Sequence, residues 1–223
     1  MELKIIARMR SLFPSKTGIP RQSNLIPELR STIVFEPEFR NPEALRGLDG
    51  FSHLWLIWGF SENTRESWSP TVRPPRLGGN TRMGVFATRA PFRPNPLGLS
   101  SVMLDAIEKT PQDGTVLHVS GADLMDGTPI YDIKPYISFT DSHPEARNGF
   151  AEQAKSHALD VTIPQELSKK ITPERLKALR AILAQDPRPA YQNDPDRIYG
   201  FPFADAEIRF KVSENTLEVT DIQ

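Results

Sequence analysis

Proline sets the first limit on this chain: 21 of its 223 residues are proline, roughly twice ordinary usage. Each proline locks φ and removes a backbone donor, so it interrupts helices and central strands alike. A helical bundle is disfavoured, and short strands joined by structured loops are predicted instead. Strands are expected over residues 3–7, 32–35, 83–88, 102–107 and 116–119. The bulky run HLWLIWGF at 53–60 reads as a buried central strand, with Trp55 and Trp58 as core residues. Gly114 after Asp113 predicts a hairpin turn. Asn41 before Pro42 and Glu43 predicts the N-cap of one short helix.

A polar stretch over 140–157 (TDSHPEARNGFAEQAKSH) reads as a linker. Beyond it a strand is expected at 159–163, then a helix opened by Thr172, Pro173 and Glu174 with Leu176, Leu179 and Leu183 on its apolar face, then strands at 207–212 and 216–219. The fold class is therefore mainly β with some α: a main domain over 1–150 and a small C-terminal α/β domain over 157–223.

Several chemistries are excluded or disfavoured. There is no cysteine, so disulfides, thiolate catalysis and Cys-based zinc or iron–sulfur sites are out. No run approaches the ~20 apolar residues of a membrane helix. The first ten residues lack the apolar stretch of an export signal, so a cytoplasmic location is expected. Neither G-x-G-x-x-G nor a P-loop occurs, and Gly78-Gly79 sits in a Pro/Arg loop, which disfavours a doubly wound nucleotide site. The four histidines (His53, His118, His143, His157) lack zincin spacing, and no metal is expected.

Charge is more informative by position than in sum. The net charge is −1, yet Ser67 to Leu104 contains no acidic residue and holds Arg73, Arg76, Arg82, Arg89 and Arg93. All five are arginine, whose planar fork grips carboxylate or phosphate bidentately. Three segments concentrate unusual residue types: RPPRLGG (73–79), GVFATRAPFRPNPLGLS (84–100) and DLMDGTPIYDIKPY (123–136). In the second, Pro91, Pro94 and Pro96 stiffen a loop that loses little entropy on binding a ligand. Arg89 and Arg93 flank its bend, and Asn95 can donate and accept. In the third, Asp126-Gly127 is a turn signal, and Lys134 either serves a substrate or pairs with Asp132. Arg73 and Arg76 contact phosphate or brace their loop; the sequence leaves both open.

These segments resemble the TrmO family, also called TsaA-like or YaeB-like proteins. The likeness runs through PRQ (20–22), RGLDGFSHLW (46–55), the thirty residues from Thr71 to Ser100, 123–136, and AQDPRPAY (184–191). The resemblance implies a single-sheet β-barrel main domain, a small C-terminal domain and a homodimer. It implies S-adenosylmethionine as cofactor and methylation of N6 of threonylcarbamoyladenosine beside the anticodon, in threonine tRNA. It places the cofactor against Pro20, Arg21, Gln22, His53, Leu54, Arg89, Leu99, Leu124, Met125, Asp126 and Gly127. It gives the DPRPAY segment to the tRNA side, where Arg188 and Tyr191 would form a stiff exposed turn with one cation and one aromatic face. A chain cut after Gln153 is accordingly expected to keep cofactor binding and lose tRNA.

Methyl transfer here requires a proton acceptor, because a urea-like N–H is a poor nucleophile while protonated. By residue type the candidates are Asp123, Asp126, Asp132, His53 and Tyr136, and the sequence does not choose among them. A non-catalytic, cofactor-sensing RNA-binding protein of the same fold is the alternative. A small-molecule methyltransferase would leave DPRPAY and the arginine-only window without a role.

Overall fold

The computed structural model describes residues 2–62, 67–74, 77, 81–154, 158–188, 192 and 194–223. The strands among them are β1 (Ala7–Arg10), β2 (Arg30–Phe35), β3 (His53–Gly59), β4 (Thr71–Val72), β5 (Met83–Gly84), β6 (Leu97–Thr110), β7 (Gly114–Ser120), β8 (Pro129–Pro135), β9 (Asp160–Thr162), β10 (Tyr199–Phe203), β11 (Ala206–Ser213) and β12 (Thr216–Ile222). The helices are α1 (Ser138–Asp141), α2 (Gln165–Ser168) and α3 (Pro173–Ala184). The mainly β character with few helices matches the sequence reading.

Six strands close a barrel in the order β1-β2-β7-β6-β3-β8, with every neighbouring pair antiparallel. Alternation along each strand decides what faces inward. On β3, Leu54, Leu56 and Trp58 are buried while His53, Trp55 and Ile57 are only half covered. Trp58 is thus a core residue, as expected, and Trp55 is not: its indole N–H reaches out to Asp141 Oδ2 at 2.8 Å. Met9, Ile33, Phe35, Val102, Leu117, Val119 and Ile130 complete the barrel core. The β6–β7 hairpin turns where expected, at Gly114.

Two strand predictions shift. The first strand is Ala7–Arg10, not residues 3–7. Of the strand expected over 83–88, only Met83–Gly84 forms; Val85–Ala87 is a 3-10 turn, closed by Thr88, whose N–H and hydroxyl both donate to Val85 O at 3.1 and 2.9 Å. Asn41 caps a short 3-10 helix, accepting from Glu43 N at 3.0 Å.

A second sheet, ordered β10-β11-β12-β9, has β9 parallel to β12. Strand β10 escapes a sequence reading because it contains Pro202, tolerated on this edge strand. Helix α3 starts at the predicted Thr172–Pro173 cap. Its buried face is Ala178, Leu179, Ile182 and Leu183, so the stripe lies to one side of the predicted one and Leu176 is half covered. Into this same core come three residues from far upstream, Phe13, Ile26 and Leu29. The chain from Leu12 to Leu29 therefore crosses from the barrel to the second sheet and back. Leu12 O accepts from Ala204 N at 2.7 Å.

Candidate functional site

Four segments distant in sequence meet at Asp123, just past the end of β7. Ser100 on β6 donates to Asp123 Oδ1 at 2.6 Å, and the Ser100 hydroxyl is itself fixed by the Trp58 indole N–H at 2.9 Å. The Ser23 backbone bonds the same carboxylate, and Arg89 acts on it through charge. Arg89 also donates to the Gln22 side-chain carbonyl. The 20–24 loop is anchored by Asn24, whose N–H bonds Gly121 O at 2.9 Å and whose side-chain amide bonds Ser101 O at 3.1 Å.

Local sequence explains this arrangement. In the PLGLS segment, Gly98 lies beneath the Trp58 indole; a Cβ there would stand 2.2 Å from the ring. The glycine lets the ring lie flat on its neighbour strand, which aims the indole nitrogen at Ser100. Ser100 occupies the inward register with Val102 and is fully buried. A hydroxyl in a row of core positions was the available signal for its role.

The electrostatics are asymmetric. Burial pushes the Asp123 carboxyl above the usual carboxylate range; Ser100, the backbone and the Arg89 charge pull it back only in part. Arg89 is exposed. An exposed guanidinium suits an anionic group on a ligand, such as a carboxylate. Gln22 links this arginine to its own loop, its amide nitrogen donating to Arg21 O at 2.5 Å.

Leu54 and Leu124 are fully buried core side chains, which leaves only their backbones for a ligand. Pro20 is buried, Met125 half-buried, and Arg21 exposed. Leu99 is exposed and faces away from Ser100 on the same strand. His53 begins β3, three residues and about 10 Å along the strand from Leu56, which lies opposite Ser100. Its Nδ1 lies 2.9 Å from the Ser52 hydroxyl, and its ring neighbours Tyr136 at 6.1 Å. Asp126 and Gly127 form the predicted turn, with Gly127 at φ 76°. They are tied to the end of β1: Asp126 Oδ1 accepts from Ser11 N at 2.9 Å, and Gly127 N donates to Met9 O at 2.8 Å. The structure thus joins Gln22, Arg89 and Asp123, while His53 bonds Ser52 and Asp126 bonds Ser11.

Among the substrate candidates, Arg93 braces its own loop. Its guanidinium donates to the backbone carbonyls of Val85, Thr88 and Ala90 at 3.2–3.5 Å. Lys134 pairs with Asp132 at 2.8 Å, the plainer of the two readings. Arg73 and Asn95 are exposed. Arg76 and Tyr191 lie outside the described residues. The expected exposed cation at Arg188 is corrected: only 10% of its side chain is exposed, and it grips Asp186 through Nε at 2.8 Å and Nη2 at 2.9 Å. Asp186 itself takes a left-handed φ of 52°, which ends α3 before Pro187. Arg21 is close enough for its charge to act on Asp186, which brings the PRQ and DPR segments near one another. Sequence reasoning did not foresee Ser23, Asn24, Ser100 or Asp186 in these roles.

The family model described as the tRNA-methyltransferase O N-terminal domain matches residues 8–142, and that described as the TrmO C-terminal domain matches 153–223. A protein named tRNA (adenine(37)-N6)-methyltransferase from Escherichia coli strain K12 is 39% identical over 222 residues, covering 96% of this chain and 94% of that protein. A Pseudomonas aeruginosa protein named putative S-adenosylmethionine-dependent methyltransferase RcsF is 41% identical over 92% of this chain and 90% of its own length. A crystal structure of TrmO from Pseudomonas aeruginosa superposes with a TM-score of 0.79 at 33% identity, covering all of this chain and 98% of that one.

Proposed function

This chain belongs to the TrmO family, and from that we propose that it methylates N6 of threonylcarbamoyladenosine at position 37 of tRNA, with S-adenosylmethionine as methyl donor, giving N6-methyl-N6-threonylcarbamoyladenosine. The observation that supports this reading most is the convergence of Gln22, Arg89 and Asp123 around one spot in a chain matched end to end by the family.

S-adenosylmethionine supplies an electrophilic methyl with its own leaving group, so the protein's task is to bind, orient and manage a proton. Arg89 is the residue for the methionine carboxylate, as a charge-assisted fork. Gln22 holds Arg89 in place, and its own amide nitrogen donates to Arg21 O at 2.5 Å. Leu99 gives the adenine an apolar contact, and the backbones of Leu54 and of residues 124–127, with His53 and Arg21, form the rest of the cofactor surface. On the nucleic-acid side we assign Arg73, Arg76 and Asn95 to the anticodon stem-loop, with Tyr191 available to stack on a base. Arg188 serves that side by shaping the turn through Asp186. The working unit is a homodimer, threonine tRNA is the substrate, and the reaction takes place in the cytoplasm. Among the described residues, no helix is long and apolar enough to cross a membrane.

The test is transfer of a labelled methyl group from S-adenosylmethionine to tRNA that carries threonylcarbamoyladenosine, with tRNA lacking the threonylcarbamoyl group as control. Label in the first tRNA alone supports the reading. Cofactor binding with no transfer to either favours the cofactor-sensing alternative.

A further inference from the structure

We propose that Asp123 is the carboxylate that accepts the proton from the target nitrogen, an assignment that rests on the methyltransferase reading. Five residues have suitable chemistry, and the contacts of four of them are with residues outside the Gln22–Arg89 pair. Asp126 Oδ1 accepts from Ser11 N at the end of β1. Asp132 accepts from Ile133 N at 2.9 Å and pairs with Lys134. His53 begins β3 and is bonded to Ser52. Tyr136 packs against His53 and Trp55, at ring distances of 6.1 and 5.5 Å. Asp123 stands beside both Arg89 and the Gln22–Ser23 loop.

Its supports suit the role. The Trp58–Ser100 pair fixes one oxygen in direction without neutralising it. The groups that face it are Ser100 and Trp58 from the barrel wall, the Ser23 backbone from the 20–24 loop, and Arg89 from the Pro-rich loop; only Arg89 is charged. Half-burial favours the protonated form and Arg89 favours the carboxylate, so Asp123 can cycle between the two. The step balances. The N–H bond breaks toward Asp123, and the freed electron pair forms the N–CH3 bond. The C–S bonding pair stays on sulfur as the neutral thioether. Asp123 leaves the step as the acid and later returns its proton to solvent.

The test compares wild type with Asp123→Asn and Ser100→Ala in three readouts: cofactor affinity, single-turnover methyl transfer against pH, and NMR titration of carboxyl-labelled aspartates in cofactor-free protein. Asparagine keeps an acceptor oxygen for Ser100 and Ser23. Asp123→Asn is expected to bind S-adenosylmethionine nearly as wild type does, to lose roughly a hundredfold or more in transfer rate, and to lack one aspartate resonance that titrates above the ordinary range. Ser100→Ala removes a donor to the carboxylate, so that resonance and the acid limb of the rate profile should move together to higher pH. Near-wild-type transfer by Asp123→Asn overturns the assignment, as does a rate limb that ignores the resonance shift in Ser100→Ala. Loss of cofactor binding in Asp123→Asn also overturns it, making Asp123 a cofactor ligand. If Asp123→Asn fails to fold, Ser100→Ala decides. Wild-type protein that methylates no tRNA defeats the underlying reading instead, so the two failures are distinct.

Discussion

Arg188 holds Asp186 in a two-pronged grip, with Nε 2.8 Å from Oδ1 and Nη2 2.9 Å from Oδ2, and nine-tenths of the arginine side chain is covered. Burial alone would push the Asp186 carboxyl up, but the hydrogen bonds and charge of Arg188, with a contribution from Arg21, hold it below the usual range. A depressed carboxylate contributes stability that is complete above its unfolded value, ~3.9, and is lost as pH falls through its folded value.

Asp186→Ala should therefore destabilise the protein by on the order of 2–3 kcal/mol, less than the ~3–5 kcal/mol of a fully buried pair because Asp186 keeps some solvent contact. Below about pH 4 the difference from wild type should shrink as the wild-type carboxylate takes its proton. Denaturant titrations across pH check this. An equal loss at every pH would mean that the pair is held by packing and not by charge.

Cofactor binding should depend on the C-terminal residues, contrary to what the sequence order suggests. Phe13, Ile26 and Leu29 are buried among α3 and the second sheet, and they bracket the loop that carries Pro20, Arg21 and Gln22. Gly18, at φ 82°, approaches Phe201 so closely that a Cβ would stand 2.4 Å from the ring. A chain cut after Gln153 exposes those anchors and should bind S-adenosylmethionine poorly. In the full-length protein, Gly18→Ala should cost ~1–3 kcal/mol in stability and weaken cofactor binding without altering a residue of the Arg89–Asp123 cluster. Calorimetric titration of both proteins checks it; normal affinity in the truncated chain would show that the loop stands without its second core.

How much of this was legible in the sequence follows from the range of each interaction. The barrel strand around 53–60 declares itself as a bulky apolar run and that around 116–119 through the Gly114 turn before it, and the Asp126-Gly127 turn and the Thr172–Pro173 helix start through local chemistry. Residues 85–87 read as a strand because their apolar character is the same in a 3-10 turn; Thr88 closes that turn and the guanidinium of Arg93, several residues on, braces its carbonyls. Strand β10 is concealed by Pro202, since nothing local says that it lies on an edge. The site is the least legible part. Gln22, Arg89 and Asp123 were each singled out, but no spacing rule joins positions so far apart, and only the fold puts them together. Nor does any pattern reveal that Phe13 and Ile26 belong to a core built mostly beyond residue 158.

Arg89 should prove the main electrostatic contact for the methyl donor. Its exposed guanidinium is oriented by Gln22 and backed by Asp123. Arg89→Ala should weaken S-adenosylmethionine binding by about 1.5–3 kcal/mol, the value of a charged hydrogen bond, or roughly ten- to a hundredfold. Arg89→Lys should recover only part, because a point charge cannot replace the fork. Gln22→Ala should fall between wild type and Arg89→Ala. Unchanged affinity in folded Arg89→Ala would move this residue to the tRNA side.

The most direct measurement is mass spectrometry of nucleosides from tRNA of a strain that lacks this gene, complemented with wild type or with Asp123→Asn. The deletion should convert N6-methyl-N6-threonylcarbamoyladenosine entirely to its unmethylated precursor in threonine tRNA. Wild type should restore the methylated nucleoside, and Asp123→Asn, expressed at the same level, should not. Persistence of the methylated nucleoside in the deletion strain would contradict the assigned activity, and full restoration by Asp123→Asn would contradict the assigned proton acceptor.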